Sequence, residues 1–272
     1  MTYIRLNECN DCDLVRYCSD SCQKDHRSKH EAMCKERAAG LRDEILFMQP
    51  QSSHFGDCPI CFLPLSIDQN QSKSQSCCSK TICKGCAVAS RVCQTEERQY
   101  PTCPFCRHPL PSSREESNKN MMKRAEANDP EATWRMGLKH HEKGDYGGAV
   151  RYWTKAAALG DADSHYNLSL MLLVGEVEED EEKQLYHLEE AAIRGHPNAR
   201  YNLACHEKWN DRFDRAVKHH IIAANLGYDL SIQALKDFYK DGLVSKEDFA
   251  AALRGHQAAV DATQSPQREA VS

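Results

Sequence analysis

The sequence has no long hydrophobic run. Its most apolar stretch, Leu168–Val174, falls far short of the roughly 18 residues needed to cross a bilayer. The residues after Met1 hold no apolar core of the secretory kind, so no membrane partner is expected. The default location is the cytoplasm, or the nucleus. Basic charge is also in short supply: 35 Lys and Arg stand against 40 Asp and Glu, a formal net charge of −5. With no basic recognition helix either, nucleic acid is not an expected partner. No Gly-rich phosphate loop, nucleophile elbow or His-Glu-x-x-His pattern is present. Tryptophan is missing before Trp134, and cysteine is nearly missing after Cys106, where Cys205 stands alone.

That reciprocal distribution describes two materials joined end to end. Of 15 cysteines, all but Cys205 lie at or before Cys106. A segment this poor in core-forming aromatics needs something besides apolar burial to hold it together. In a reducing compartment disulfides are disfavoured, which leaves a metal as the staple.

Within residues 1–36 the pattern is Cys9-x2-Cys12, then Tyr17-Cys18-x3-Cys22-Gln23, then His30-x3-Cys34. Short Cys pairs offer two thiolates to one zinc from a tight turn, and His30 and Cys34 fall one turn apart on a helix. The run Tyr-Cys-Ser-Asp-Ser-Cys-Gln-x6-His-x3-Cys resembles the second half of a MYND zinc finger. That resemblance implies one complete zinc site from Cys9, Cys12, His30 and Cys34, and half of a second from Cys18 and Cys22. His26 departs from the family near a position where it usually carries tryptophan.

Residues 58–106 carry Cys58-x2-Cys61, Cys77-Cys78, Cys83-x2-Cys86 and Cys103-x2-Cys106. Eight thiolates in four pairs suffice for two tetrahedral zinc ions. The order resembles a RING finger, whose first and third pairs share one zinc and whose second and fourth pairs share the other. The resemblance implies site one from Cys58, Cys61, Cys83 and Cys86, and site two from Cys77, Cys78, Cys103 and Cys106. Lys80 stands where the usual second pair has histidine, so the adjacent Cys77 and Cys78 are expected to serve in its place. If only one of them binds, site two is weak. Cys93 falls outside the pattern and reads as an ordinary thiol.

The RING resemblance also implies a partner, a ubiquitin-conjugating enzyme. Ile60 matches the apolar residue that docks on it, Pro104 the proline of the second contact loop, and Arg107 the arginine that hydrogen-bonds both enzyme and ubiquitin. Such a finger forms no covalent intermediate; it works by orienting a thioester carried by its partner. An arginine suits the last role because its planar fork offers several donors.

From about Met121 the texture changes to internal repetition. Gly160, Gly195 and Gly227 each close an alanine-rich segment, and lie 35 and 32 residues apart. Tyr166-Asn-Leu recurs as Tyr201-Asn-Leu, with Trp134-Arg-Met in the first such place. Each unit reads as helix, turn, helix, with small alanines at the crossing and glycine in a left-handed cap. This resembles Sel-one-like, tetratricopeptide-type repeats, and implies a surface for a substrate or adaptor protein. Three units are clear, and a weaker fourth starts near Ser231. The acidic run after Gly175 reads as a solvated face.

The expected fold is mainly α: small zinc-stapled fingers, MYND-like and cross-braced RING, followed by an α-solenoid of helix-turn-helix repeats. The expected divisions are a partial MYND-like finger over 1–36, a helix and linker over 37–56, and the RING-type finger over 57–110. A linker over 111–120, repeats over 121–260 and a disordered tail over 261–272 complete the order. Two zinc ions are expected in the RING-type finger, and one or two in the MYND-like finger. The leading functional expectation is a ubiquitin ligase whose repeats select the substrate. The alternative is a non-catalytic, zinc-binding interaction adaptor.

Overall fold

The computed structural model describes residues 7–8, 16–17, 20–98, 100–174 and 180–271. They fall into two units, Met1–Met48 and Gln49–Ser272. The chain is mainly helical, as expected. No helix among the described residues is long and apolar enough to cross a membrane.

In the first unit, β1 (Asn7–Glu8) pairs antiparallel with β2 (Arg16–Tyr17), and α1 runs from Asp20 to Leu46. The sequence pattern predicts a finger helix and a separate helix on either side of residue 37; the chain makes one helix of both. No proline interrupts it, and a lone glycine, Gly40, costs only about 1 kcal/mol in a helix interior. Pairs such as Glu31–Lys35 at 2.8 Å brace its exposed face, though such a pair adds only a few tenths of a kcal/mol.

The second unit begins with a small finger. A hairpin of β3 (Ser72–Ser74) and β4 (Thr81–Cys83), in the register Lys73↔Ile82, leads into α2 (Lys84–Glu96). The Gln- and Ser-rich stretch 67–76 reads as a loop in sequence, but supplies one strand of this hairpin. Asp68 turns the chain into it by accepting from the Asn70 backbone N–H at 3.0 Å. Beneath lies a core of Leu65, Ile82 and Ala87 with Cys58, Cys83 and Cys86. So small a core explains why the finger needs further staples.

The expected linker over 111–120 is largely helical: α3 spans Arg114–Glu126. Ser113 accepts from the Glu116 N–H at 3.1 Å, while Glu116 reaches back to the Ser112 N–H at 2.8 Å. This is close to a capping box. Paired helices follow: α4 (Pro130–His141) with α5 (Tyr146–Ala158), α6 (Ala162–Leu173) with α7 (Glu181–Ile193), and α8 (Pro197–Trp209) with α9 (Phe213–Asn225). A fourth pair, α10 (Asp229–Lys240) and α11 (Lys246–Ala262), packs on α9. Gly160, Gly195 and Gly227 end α5, α7 and α9 at φ of 90°, 83° and 87°, the left-handed region that glycine enters without strain. The Ala149, Ala156 and Ala157 face of α5 buries Trp153 with Trp134, Leu168 and Met171. Residues 175–179 of the acidic run lie outside the described residues.

The expected disordered tail is also structured. α11 continues to Ala262, and a short helix α12 (Pro266–Glu269) follows, capped by Ser265. Nor are residues 49–56 a free linker. The His54 N–H donates to the Gly195 carbonyl at 3.1 Å, and Asn225 donates to the Gln49 side chain at 3.1 Å.

Candidate metal centres and interaction surface

Two Cys-Pro-x-Cys segments build the finger's tight turns in the same way. In the first, Phe62 N–H donates to Cys58 O at 2.8 Å and Cys58 N–H to Leu63 O at 2.9 Å. In the second, Arg107 N–H donates to Cys103 O at 2.8 Å and Cys103 N–H to His108 O at 2.7 Å. The residue after each last cysteine is left-handed, Phe62 at φ 57° and Arg107 at φ 59°. Both turns therefore present their sulfurs to one side, and strain at a non-glycine residue is accepted to do so.

The four pairs then cross. Cys58, Cys61, Cys83 and Cys86 converge in one cluster, and Cys77, Cys78, Cys103 and Cys106 in another, with all four sulfurs of each within 4.8 Å of one another. Cys61 and Cys83 sulfurs stand 3.9 Å apart, as do those of Cys78 and Cys103, while Cys77 and Cys106 are 3.4 Å apart. None of these cysteines is in a disulfide. A zinc–sulfur bond of about 2.3 Å implies a tetrahedral edge of about 3.8 Å, so the donor sets fit zinc in size and chemistry. The backbone adds N–H donors to sulfur from Cys83 to Cys58 at 3.4 Å and from Cys86 to Cys83 at 3.3 Å. Such donors stabilise thiolates in metal sites.

Electrostatics point the same way. Burial, and then the neighbouring sulfurs, push the Cys77 and Cys86 thiols up. Burial is also the main cause lifting Cys78 to about 11. At Cys61 burial is outweighed by the Leu63 N–H and the Arg268 guanidinium, which hold the thiol at about 7. Four crowded thiols cannot all ionise side by side without a cation among them.

Both adjacent cysteines, Cys77 and Cys78, join the second cluster. Lys80 stays outside it, with its ammonium 5.8 Å from the centre of the Phe105 ring. Cys93 is exposed beside Glu97, whose charge raises its thiol pKa. Ile60, Pro104 and Arg107 line one surface cleft together with Ala89 and Gln94 of α2. Gln94 ties the second turn to α2 by donating to Thr102 O at 3.2 Å and accepting from its N–H at 3.0 Å. Ile60 is 37 % exposed. In the first unit, Cys9, Cys12 and Cys18 lie outside the described residues. Cys22 and His30 lie in α1 with their side chains undescribed, and Cys34 is buried there.

One cluster had no sequence signal, because its members are far apart in the chain. His54 Nε2 stands 3.3 Å from Asp163 Oδ2, and His196 Nε2 stands 3.6 Å from Asp163 Oδ1. The two imidazoles stack at 4.4 Å, and Tyr166 stacks on His196 at 4.3 Å. A metal-bound histidine donates its remaining ring N–H. Here His196 Nδ1 instead accepts from the Ala199 N–H at 3.3 Å, capping α8. Its neutral form therefore carries the proton on Nε2, facing Asp163. The group reads as a buried polar clasp between residue 54 and the repeats. Burial opposes ionisation of Asp163, but the two imidazoles facing it, His196 and His54, outweigh that and hold the carboxyl well below its usual range.

Residues 4–34 match the MYND finger family. No curated protein matches the chain. Among solved structures, a Sel1 repeat protein from Oxalobacter formigenes is similar at 26 % identity and a TM-score of 0.48, over 56 % of this chain and 66 % of its own. A protective antigen of uropathogenic Escherichia coli strains, displaying an SLR fold, is similar at 21 % identity and a TM-score of 0.42, over 59 % of this chain and 36 % of its own. MamA is similar at 16 % identity and a TM-score of 0.34, over 54 % and 87 %. The chain thus spans about two thirds of the first relative's length and about a third of the second's. It joins a segment that matches the MYND finger family to a series of glycine-closed helix pairs.

Proposed function

We propose that this protein is a zinc-stapled adaptor that brings protein partners together. The observation that carries the reading is the crossing of four cysteine pairs into two donor sets on a finger that Arg124 of α3 ties to the helical half through Ser79. On this reading Cys58, Cys61, Cys83 and Cys86 hold one zinc ion, and Cys77, Cys78, Cys103 and Cys106 a second. The MYND-type finger holds a third through Cys9, Cys12, His30 and Cys34, with Cys18 and Cys22 available for a fourth. Bound zinc supplies folding free energy here rather than chemistry. The repeats supply partner surface. Trp209, 91 % exposed at the end of α8, is a fitting anchor, since tryptophan is enriched at binding hot spots. Pull-down with wild type and Trp209→Ala tests it; equal recovery of every partner would remove Trp209 from the interface.

A finer reading rests on the convergence of Ile60, Pro104 and Arg107 on one cleft. In it the cross-braced finger is of the RING type and docks a ubiquitin-conjugating enzyme. Ile60 supplies the apolar contact, Pro104 shapes the second loop, and Arg107 fixes the orientation of the ubiquitin thioester, so that catalysis is by positioning. Autoubiquitination over a panel of conjugating enzymes tests this reading. If none supports transfer, the protein is an adaptor without ligase activity.

A further inference from the structure

The end of the chain packs back on the first cysteine cluster. Arg268, in α12, extends its guanidinium over the turn that follows Cys61. One terminal nitrogen donates to Pro64 O at 2.6 Å and to Thr263 O at 2.7 Å. The other donates to Leu63 O at 3.1 Å and to Cys61 Sγ at 3.3 Å. Leu63 O is also the acceptor that closes the Cys58 turn. Gln267 donates to Gly85 O at 3.4 Å. Gly85, between Cys83 and Cys86, admits α12 because it has no side chain: a Cβ there would lie 2.8 Å from Gln267 O and 3.1 Å from Arg268 Cα. Among the described residues, no arginine donates to a sulfur of the second cluster.

A thiolate that ligates a metal keeps lone pairs for outer donors, and such donors fix its direction and its charge. A guanidinium is suited to this because its planar fork reaches several acceptors at once and is always charged. We propose that Arg268 is a positioning residue of the first metal site, clamping Cys61 and the Leu63–Pro64 turn so that metal leaves this site slowly. The proposal rests on reading Cys58, Cys61, Cys83 and Cys86 as a zinc site. It makes the last residues of the chain, 207 positions from Cys61, part of the finger's metal retention. Removing an outer partner typically costs a metal site about 10- to 100-fold in affinity.

The test uses the zinc-loaded full chain, challenged with excess chelator. Timed alkylation and mass spectrometry then follow each cysteine separately. Arg268→Ala is expected to expose Cys58, Cys61, Cys83 and Cys86 about tenfold faster or more, with Cys77, Cys78, Cys103 and Cys106 unchanged. Arg268→Lys, which keeps the charge without the fork, should recover only part of the protection. Gly85→Ala provides an independent route, because it wedges α12 away from the finger without changing the Arg268 side chain itself; it should accelerate the same four cysteines. The helical circular dichroism melt should not move. If the zinc-loaded wild type and both Arg268→Ala and Gly85→Ala lose metal equally fast, or both clusters accelerate together as the melt falls, the clamp does not exist. If the wild type holds no zinc in this set at the outset, the metal reading beneath the proposal fails as well.

Discussion

Gly137→Ala gives a test whose sign, not just its size, is informative. In an ordinary helix the change stabilises by about 1 kcal/mol, because glycine is the poorer helix former. In α4, however, Gly137 faces the indole of Trp153, which is 2 % exposed. A Cβ there would lie 3.0 Å from Trp153 Cε2 and closer still to Cδ1 and Nε1. The indole is buried, and Nε1 donates to Trp134 O at 3.1 Å. Moving the ring costs about 1–3 kcal/mol as overpacking, and leaving its buried N–H unpaired costs about 1–3 kcal/mol more. After the helix gain, the expected net effect is destabilisation by about 1–5 kcal/mol, centred on about 3 kcal/mol. With a urea m-value of about 1–3 kcal/mol/M, the unfolding midpoint should fall by about 1 M or more, read by circular dichroism and tryptophan emission. A midpoint that stays put or rises would show that Trp153 does not pack against α4 as described.

His220 sits among Tyr201, Phe238 and the Ser231 hydroxyl, and burial lowers it to about 4 from an ordinary 6.5. A histidine with a depressed folded pKa binds its proton less well than the unfolded chain does. Its stability contribution is therefore full above pH 6.5 and is lost as pH falls toward 4. Relative to His220→Phe, the wild type should lose about 3 kcal/mol between pH 7 and pH 4, by urea titration at each pH; a constant difference would contradict the burial. Chelation should collapse 57–110 while leaving most of the helical signal of α4 to α11, measured by circular dichroism, and wholesale helix loss would tie the repeats to the metal. Elemental analysis should find about three zinc ions per chain, and one or fewer would overturn the ligand sets. Where the wild type supports ubiquitin transfer, Ile60→Ala should abolish it with zinc content unchanged, and full activity in that variant would remove the docking role.

Two kinds of information were legible in the sequence. Cysteine spacing was one, since ligand pairs are local: each Cys-x2-Cys turn is complete within a few residues. The helix pairs were the other, because Gly160, Gly195 and Gly227 mark a backbone state that only local chemistry sets. The missed features divide by the same criterion. α3 has a local signal in the Ser113 and Glu116 cap, which the surrounding charged residues mask. The merging of the helices around residue 37 into α1 follows from the lack of a helix breaker. The clasp of His54, Asp163 and His196, the docking of 49–56 and the return of α12 to Cys61 join residues tens to hundreds of positions apart. No periodicity or spacing encodes such contacts, and a polar C-terminus by itself reads as a tail.

The most direct measurement is a proton–cadmium correlation spectrum of the full chain with cadmium in place of zinc, since each ion then reports the cysteines bound to it. The expected result is one cadmium ion correlated with Cys58, Cys61, Cys83 and Cys86, and another with Cys77, Cys78, Cys103 and Cys106. A cadmium ion correlated with the consecutive set Cys58, Cys61, Cys77 and Cys78, or a second site lacking either Cys77 or Cys78, would contradict the cross-braced finger.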